Sequence, residues 1–125
     1  MQYLLMIYSN EVEYAKNDAA TSQKMLAEYG SFTQSIIQSG NFKAGDRLQP
    51  TTTATTVRVR DGKTLTTDGP FAETREQLGG YYLVEAKDLD EATKLAARIP
   101  GAQVGSIEVR PVMQLPPDYP RPTAR

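Results

Sequence analysis

Apolar side chains run unbroken from Tyr3 to Tyr8. That pattern fits a β-strand buried on both faces, because a strand with one wet face would alternate. Asn10 to Ala20 is polar and reads as a loop. From about Thr21 to Ser39 the period changes: Met25, Tyr29, Phe32 and Ile36 recur at helical spacing, on one face of a helix that ends at Gly40. Phe42 to Asp46 predicts a short strand. The β-branched stretch from Thr51 to Gly69 is centred on Asp61-Gly62, a hairpin signal because a type I′ turn needs positive φ at both central residues. Gly69 to Gly80 reads mostly as loop, and Tyr81 to Ala86 as a second doubly apolar strand. Asp88, with Glu91 three residues on, predicts a capping box. The helix it opens carries Ala92, Leu95, Ala96 and Ile99 on one face and stops at Pro100-Gly101. In the last strand, Ser106 to Val112, Ile107 and Val109 face one way and Glu108 and Arg110 the other. Pro116 to Arg125 has no packing pattern and is expected to be loosely held.

The order β-α-β-hairpin-β-α-β predicts an α+β fold, a ferredoxin-like βαββαβ unit with an inserted β-hairpin. Two helices can cover one sheet face, yet both central strands are apolar on both faces. A second copy of the chain is the expected cover, giving a homodimer with sheet packed on sheet. The alternative is that the hairpin folds over that face within one monomer.

Composition narrows the function classes. A chain of 125 residues fits one domain, here 1–113 with a proline-rich tail at 114–125. A formal net charge of -1 without any basic run gives no general attraction to nucleic acid or anionic lipid, so neither is an expected partner. Cysteine is absent, which excludes disulfides, thiolate metal ligands and a cysteine nucleophile. Histidine is absent too, which removes the usual near-neutral proton shuttle. With neither ligand type, no transition metal is expected. No glycine-rich phosphate loop occurs, and no cofactor is expected. The N-terminal apolar run is too short for a signal sequence, and no stretch reaches the roughly 20 apolar residues of a membrane helix. A cytoplasmic location is the expectation.

Candidate chemistry gathers between residues 67 and 80, where Asp68, Glu73, Arg75 and Glu76 stand among glycines. Two neighbouring carboxylates can divide into acid and base when their surroundings push their pKa values apart. Turn capping by Asp68, and solvation or pairing of the glutamates with Arg75, are the structural alternatives. Arg58 and Arg60 alternate with Val57 and Val59, so the two guanidinium groups share a face and could hold a carboxylate or phosphate, or simply be the wet side of the hairpin. Tyr81 and Tyr82 point to opposite faces of one strand, so only one can line a given cleft. The candidate ligand-binding set is therefore Asp68, Glu73, Arg58, Glu76 and Tyr81, with no residue assigned as catalytic.

The tetrapeptide Asp68-Gly69-Pro70-Phe71 lies in TDGPFAETREQLGGYYLVEAKDLDEA, and MQYLLMIY, AGDRLQP, TATTVRVRDGK and IEVRPVM flank it in order. From Met1 to Met113 the chain resembles the DGPF branch of the YCII-related family. The resemblance implies a dimeric α+β barrel, two ferredoxin-like subunits with sheets face to face and clefts between sheet and loops. It implies no agreed activity. A His–Asp pair proposed as catalytic in the wider group has no counterpart in a chain without histidine. Genes of the family often lie beside those of alternative sigma factors. Two readings follow: a binder of a small polar organic ligand that can act as a cofactor-free enzyme, or an interaction module for another protein such as a sigma factor.

Overall fold

A computed structural model describes residues 1–121. In chain order the elements are β1 (Gln2–Ser9), α1 (Glu11–Ala15), α2 (Ala19–Gln38), β2 (Phe42–Arg47), β3 (Thr55–Arg60), β4 (Lys63–Asp68), β5 (Gln77–Glu85), α3 (Leu89–Arg98) and β6 (Ser106–Pro111), with single 3-10 turns at Thr51–Thr53 and Pro100–Gln103. β2, β5, β1 and β6 form one sheet in that order, every neighbouring pair antiparallel. This is the ferredoxin-like arrangement expected from the element order. β3 and β4 pair only with each other.

The two faces of the sheet have different fates. Tyr3, Leu5 and Ile7 of β1 and Tyr82 and Val84 of β5 are buried with Phe32 and Ile36 of α2 and Ala92, Leu95 and Ala96 of α3. Leu5, Val84, Ile36 and Ile99 are essentially sealed from solvent. Removing any of them would leave a cavity that this two-layer core cannot easily collapse. On the opposite face Leu4, Met6, Tyr81 and Leu83 are only half-buried, because among the described residues no element lies over them.

Helix ends follow side-chain capping. Asp18 Oδ1 accepts from Thr21 N at 2.7 Å and Asp88 Oδ1 from Glu91 N at 2.9 Å, satisfying amides that have no partner within the helix. The hairpin turn has Asp61 at φ 51° and Gly62 at φ 73°, the left-handed pair that a type I′ turn requires.

The structure corrects several readings. Asn10 to Ala20 is no loop: Asn10 Oδ1 accepts from Glu13 N and opens α1, and α2 begins at Ala19. Polar composition hid a surface helix with no buried residue. β5 starts at Gln77, inside the stretch expected as loop, because Gln77, Leu78 and Gly80 pair with β1, and Gly80 also with β2, across a register shift at Gly79, despite the poor strand propensity of glycine. Glu91 does not complete a capping box; its Oε1 accepts from Asn41 Nδ2 at 3.1 Å. The hairpin does not cover the sheet, since apart from Thr56 every residue of β3 and β4 is exposed. Of the tail, Val112 N still donates to Gln2 O at 2.9 Å and the residues to Arg121 are exposed. The rest of the expected loose tail, 122–125, lies outside the described residues.

Candidate functional site

A cavity of about 520 Å³ opens between the helix side of the sheet and helices α1 and α2. That size falls in the range of small-molecule pockets, commonly 300–1,000 Å³. Its walls are mostly apolar: Ile7, Leu26, Phe42, Leu48, Pro50 and the rings of Tyr29 and Tyr82. Tyr82 is fixed edge-on to Phe32, with ring centroids 5.2 Å apart, and to Phe42 at 6.4 Å. Two glycines make the floor. A Cβ on Gly45 would lie 3.0 Å from Tyr82 Cδ1, and one on Gly80 would lie 2.9 Å from the Asp46 carbonyl oxygen. The floor is therefore open only because these strand positions carry no side chain.

Arg47 ends β2 opposite Gly80, on the pocket side. Its guanidinium lies 5.7 Å over the Tyr14 ring, and its Nη2 donates to Tyr14 Oη at 3.3 Å. Among the described residues it has no acidic partner.

The hydroxyl protons can be traced. Thr33 Oγ1 donates to the Tyr29 carbonyl oxygen at 2.8 Å, so it must accept from Tyr82 Oη at 2.7 Å. Tyr29 Oη accepts from Gly101 N at 3.1 Å, and Tyr14 Oη accepts from Arg47. The Tyr29 and Tyr14 hydroxyls thus keep their own protons to give. Of the two carboxylates nearby, Glu11 accepts from Thr51 on both oxygens, and Asp46 Oδ2 accepts from Tyr81 Oη at 2.6 Å. Desolvation holds the Tyr29 hydroxyl above the ordinary tyrosine range, with the Gly101 amide opposing, and burial does the same to Tyr82 against the Thr33 hydrogen bond. Both stay protonated at neutral pH. Arg47, Tyr14 and Tyr29 thus bring three sets of donor hydrogens to an otherwise apolar chamber.

Of the sequence-derived candidates, Tyr81 borders this pocket while its side chain belongs to the opposite sheet face with its hydroxyl on Asp46, and Asp68, Glu73, Arg58 and Glu76 do not border it. Asp68 ends β4 opposite Thr55, and Arg58 pairs with Leu65 in the hairpin. Glu76 Oε1 accepts from Ser106 Oγ at 2.8 Å. Asp68, Glu73 and Arg58 make no side-chain hydrogen bond or ion pair among the described residues, so neither the Asx bond at Asp68 nor a Glu73–Arg75 pair forms. Tyr29 and Tyr82 read as core residues in the sequence, and Arg47 as part of a flanking match. What signalled them was Gly45 and Gly80 inside strands, since an interior glycine often marks a close approach or a site. No group of three or more metal-ligating side chains occurs among the described residues, and no helix there is long and apolar enough to cross a membrane.

Fold and pocket together define a ferredoxin-like α+β domain with a helix-side cavity. The sequence profile of the YCII-related domain matches residues 1–116. The chain is also 35% identical over 114 residues to an uncharacterised protein of Rhizobium meliloti (strain 1021), a match covering 90% of this chain and 92% of that one. The chain belongs to the YCII-related family.

Proposed function

We propose that this protein, a member of the DGPF branch, binds a small organic anion with an apolar body in the helix-side pocket, and does so as a homodimer. The observation that carries the reading is a cluster of donors, Arg47, Tyr14 and Tyr29, at an apolar pocket. Arg47, Tyr14 and Tyr29 have hydrogens to give, while both Glu11 oxygens and Oδ2 of Asp46 already accept hydrogen bonds. A ligand bringing acceptors, such as a carboxylate or sulfonate, would meet every donor, and its hydrocarbon part would replace water against Leu26, Phe42 and Leu48. The half-buried Leu4, Met6 and Leu83 support the dimer, because packing this face on a second copy would remove it from water.

The test is titration of the protein with the aromatic sulfonate 8-anilinonaphthalene-1-sulfonate, followed by its fluorescence. Arg47→Met should weaken binding by about tenfold or more, the scale of one charge-assisted contact. Asp68→Asn and Glu73→Gln, outside the pocket, should bind as the unaltered chain does. Equal affinity of Arg47→Met and the unaltered chain would remove Arg47 from the site.

A second reading, an interaction module for another protein, is favoured by one observation. Phe71 of the Asp68-Gly69-Pro70-Phe71 loop is 78% exposed, beside a hairpin whose Val57 and Val59 are also uncovered. Phe71→Ser should leave sulfonate binding intact and abolish capture of such a partner.

A further inference from the structure

We propose that α1 and the two roots of the hairpin open and close the pocket as one unit, latched by Glu11. A helix of five residues does not hold itself in water, and α1 buries no residue that could anchor it. Its ties to the rest of the molecule run through hydrogen bonds. The backbone N of Glu11 donates to Gln77 Oε1 at 2.9 Å. Its carboxylate receives Thr51 N at 2.8 Å on Oε1 and Thr51 Oγ1 at 2.7 Å on Oε2. Thr51 begins the turn by which the chain leaves β2 for the hairpin, and Gln77 begins β5, where it returns. Gln77 Nε2 in turn donates to Thr74 O at 2.6 Å. One residue therefore clasps both roots of the excursion. Three residues further on, the same helix delivers Tyr14 to Arg47 at the pocket mouth. Breaking the clasp frees the lid, the outgoing root and the returning root together, since little apolar contact resists. Whatever takes hold of the exposed hairpin then pulls on the lid through Thr51 and Gln77. The gating role rests on the pocket being a ligand site, whereas the joint opening does not.

Hydrogen exchange followed by mass spectrometry on the full chain tests the joint opening. Glu11→Ala removes the Thr51 bonds but keeps the backbone bond to Gln77 Oε1. It should therefore speed exchange by about fivefold or more in residues 10–16 and 48–54. Joined to Gln77→Ala it should do so in 69–77 as well, with Tyr81 to Glu85 unchanged. Glu11→Gln keeps an acceptor for Thr51 N and should fall between Glu11→Ala and the unaltered chain over 48–54. Unchanged exchange over 69–77 in the Glu11→Ala, Gln77→Ala double variant overturns the latch, whatever the pocket binds. Stopped-flow mixing with 8-anilinonaphthalene-1-sulfonate then tests the gate. Entry and release should both quicken in Glu11→Ala, by about fivefold, with a smaller change in Kd. Binding with unchanged rates overturns the gate. Joint loosening in a protein that never binds the sulfonate upholds the latch and counts against the pocket reading instead.

Discussion

Tyr82 Oη donates a hydrogen bond to Thr33 Oγ1 across 2.7 Å, and Thr33 Oγ1 donates its own to the Tyr29 carbonyl oxygen at 2.8 Å. This relay joins the central strand β5 to helix α2 through the wall of the pocket, and it leaves the cavity facing the oxygen of Tyr82 rather than its hydrogen. Tyr82→Phe and Thr33→Val should each cost about 1 kcal/mol, the usual net worth of one hydrogen bond. The double substitution should cost less than the sum, because the two share that bond. Urea denaturation of the four proteins checks it, and strict additivity would dissolve the link.

Tyr29 and Tyr82 predict an alkaline limit to stability. Burial raises the pKa of both above the ordinary tyrosine value of 10.0. The unfolded chain then sheds these protons first as pH rises, so it binds fewer protons than the folded chain. The stabilisation is fully present below about pH 10 and is lost between the unfolded and folded pKa values. Thermal melts from pH 8 to 11.5 should show this fall, reduced in Tyr29→Phe. An equal slope in that variant would mean that Tyr29 is not the group concerned.

Gly62→Ala should separate the hairpin from the rest of the fold. An alanine at φ 73° is strained by about 1 kcal/mol, which falls on the local β3–β4 pairing. Because the hairpin is exposed on both faces, the main sheet should not register the change. Amide exchange over 55–68 is expected to quicken while Tm stays within about 1 °C. A drop of several degrees would mean that the hairpin carries the core.

Leu83→Asp tests the sheet face. Leu83 lies between Leu4 of β1 and Ala44 of β2, so a charge there would have to be desolvated in any sheet-on-sheet pair. Light scattering should give twice the 13.8 kDa chain mass for the unaltered protein and the single mass for the variant. A single mass for the unaltered protein at micromolar concentration would end the dimer proposal.

The sequence by itself determined the parts of this protein that local chemistry dictates. Asp61-Gly62 set a type I′ hairpin because few other pairs tolerate positive φ twice in succession. Asp88 set the start of α3 because its carboxylate meets an otherwise unpaired amide, and the 3.6-residue recurrence of Phe32 and Ile36 set the inward face of α2. The doubly apolar β1 and β5 set the central strands, and with them the sheet order. Tertiary structure alone decided the site. Tyr29 and Tyr82 obey the same periodicity as purely structural core residues, so nothing local separates a ring that fills space from one that borders a cavity. Arg47 reaches the pocket because β2 pairs with β5 in the register that sets it against Gly80, and register between strands more than thirty residues apart is not written in either strand. Helix α1 was illegible for the same reason: a polar segment without a buried face is held by Glu11 reaching Thr51 and Gln77, partners that only the folded chain brings within hydrogen-bonding distance.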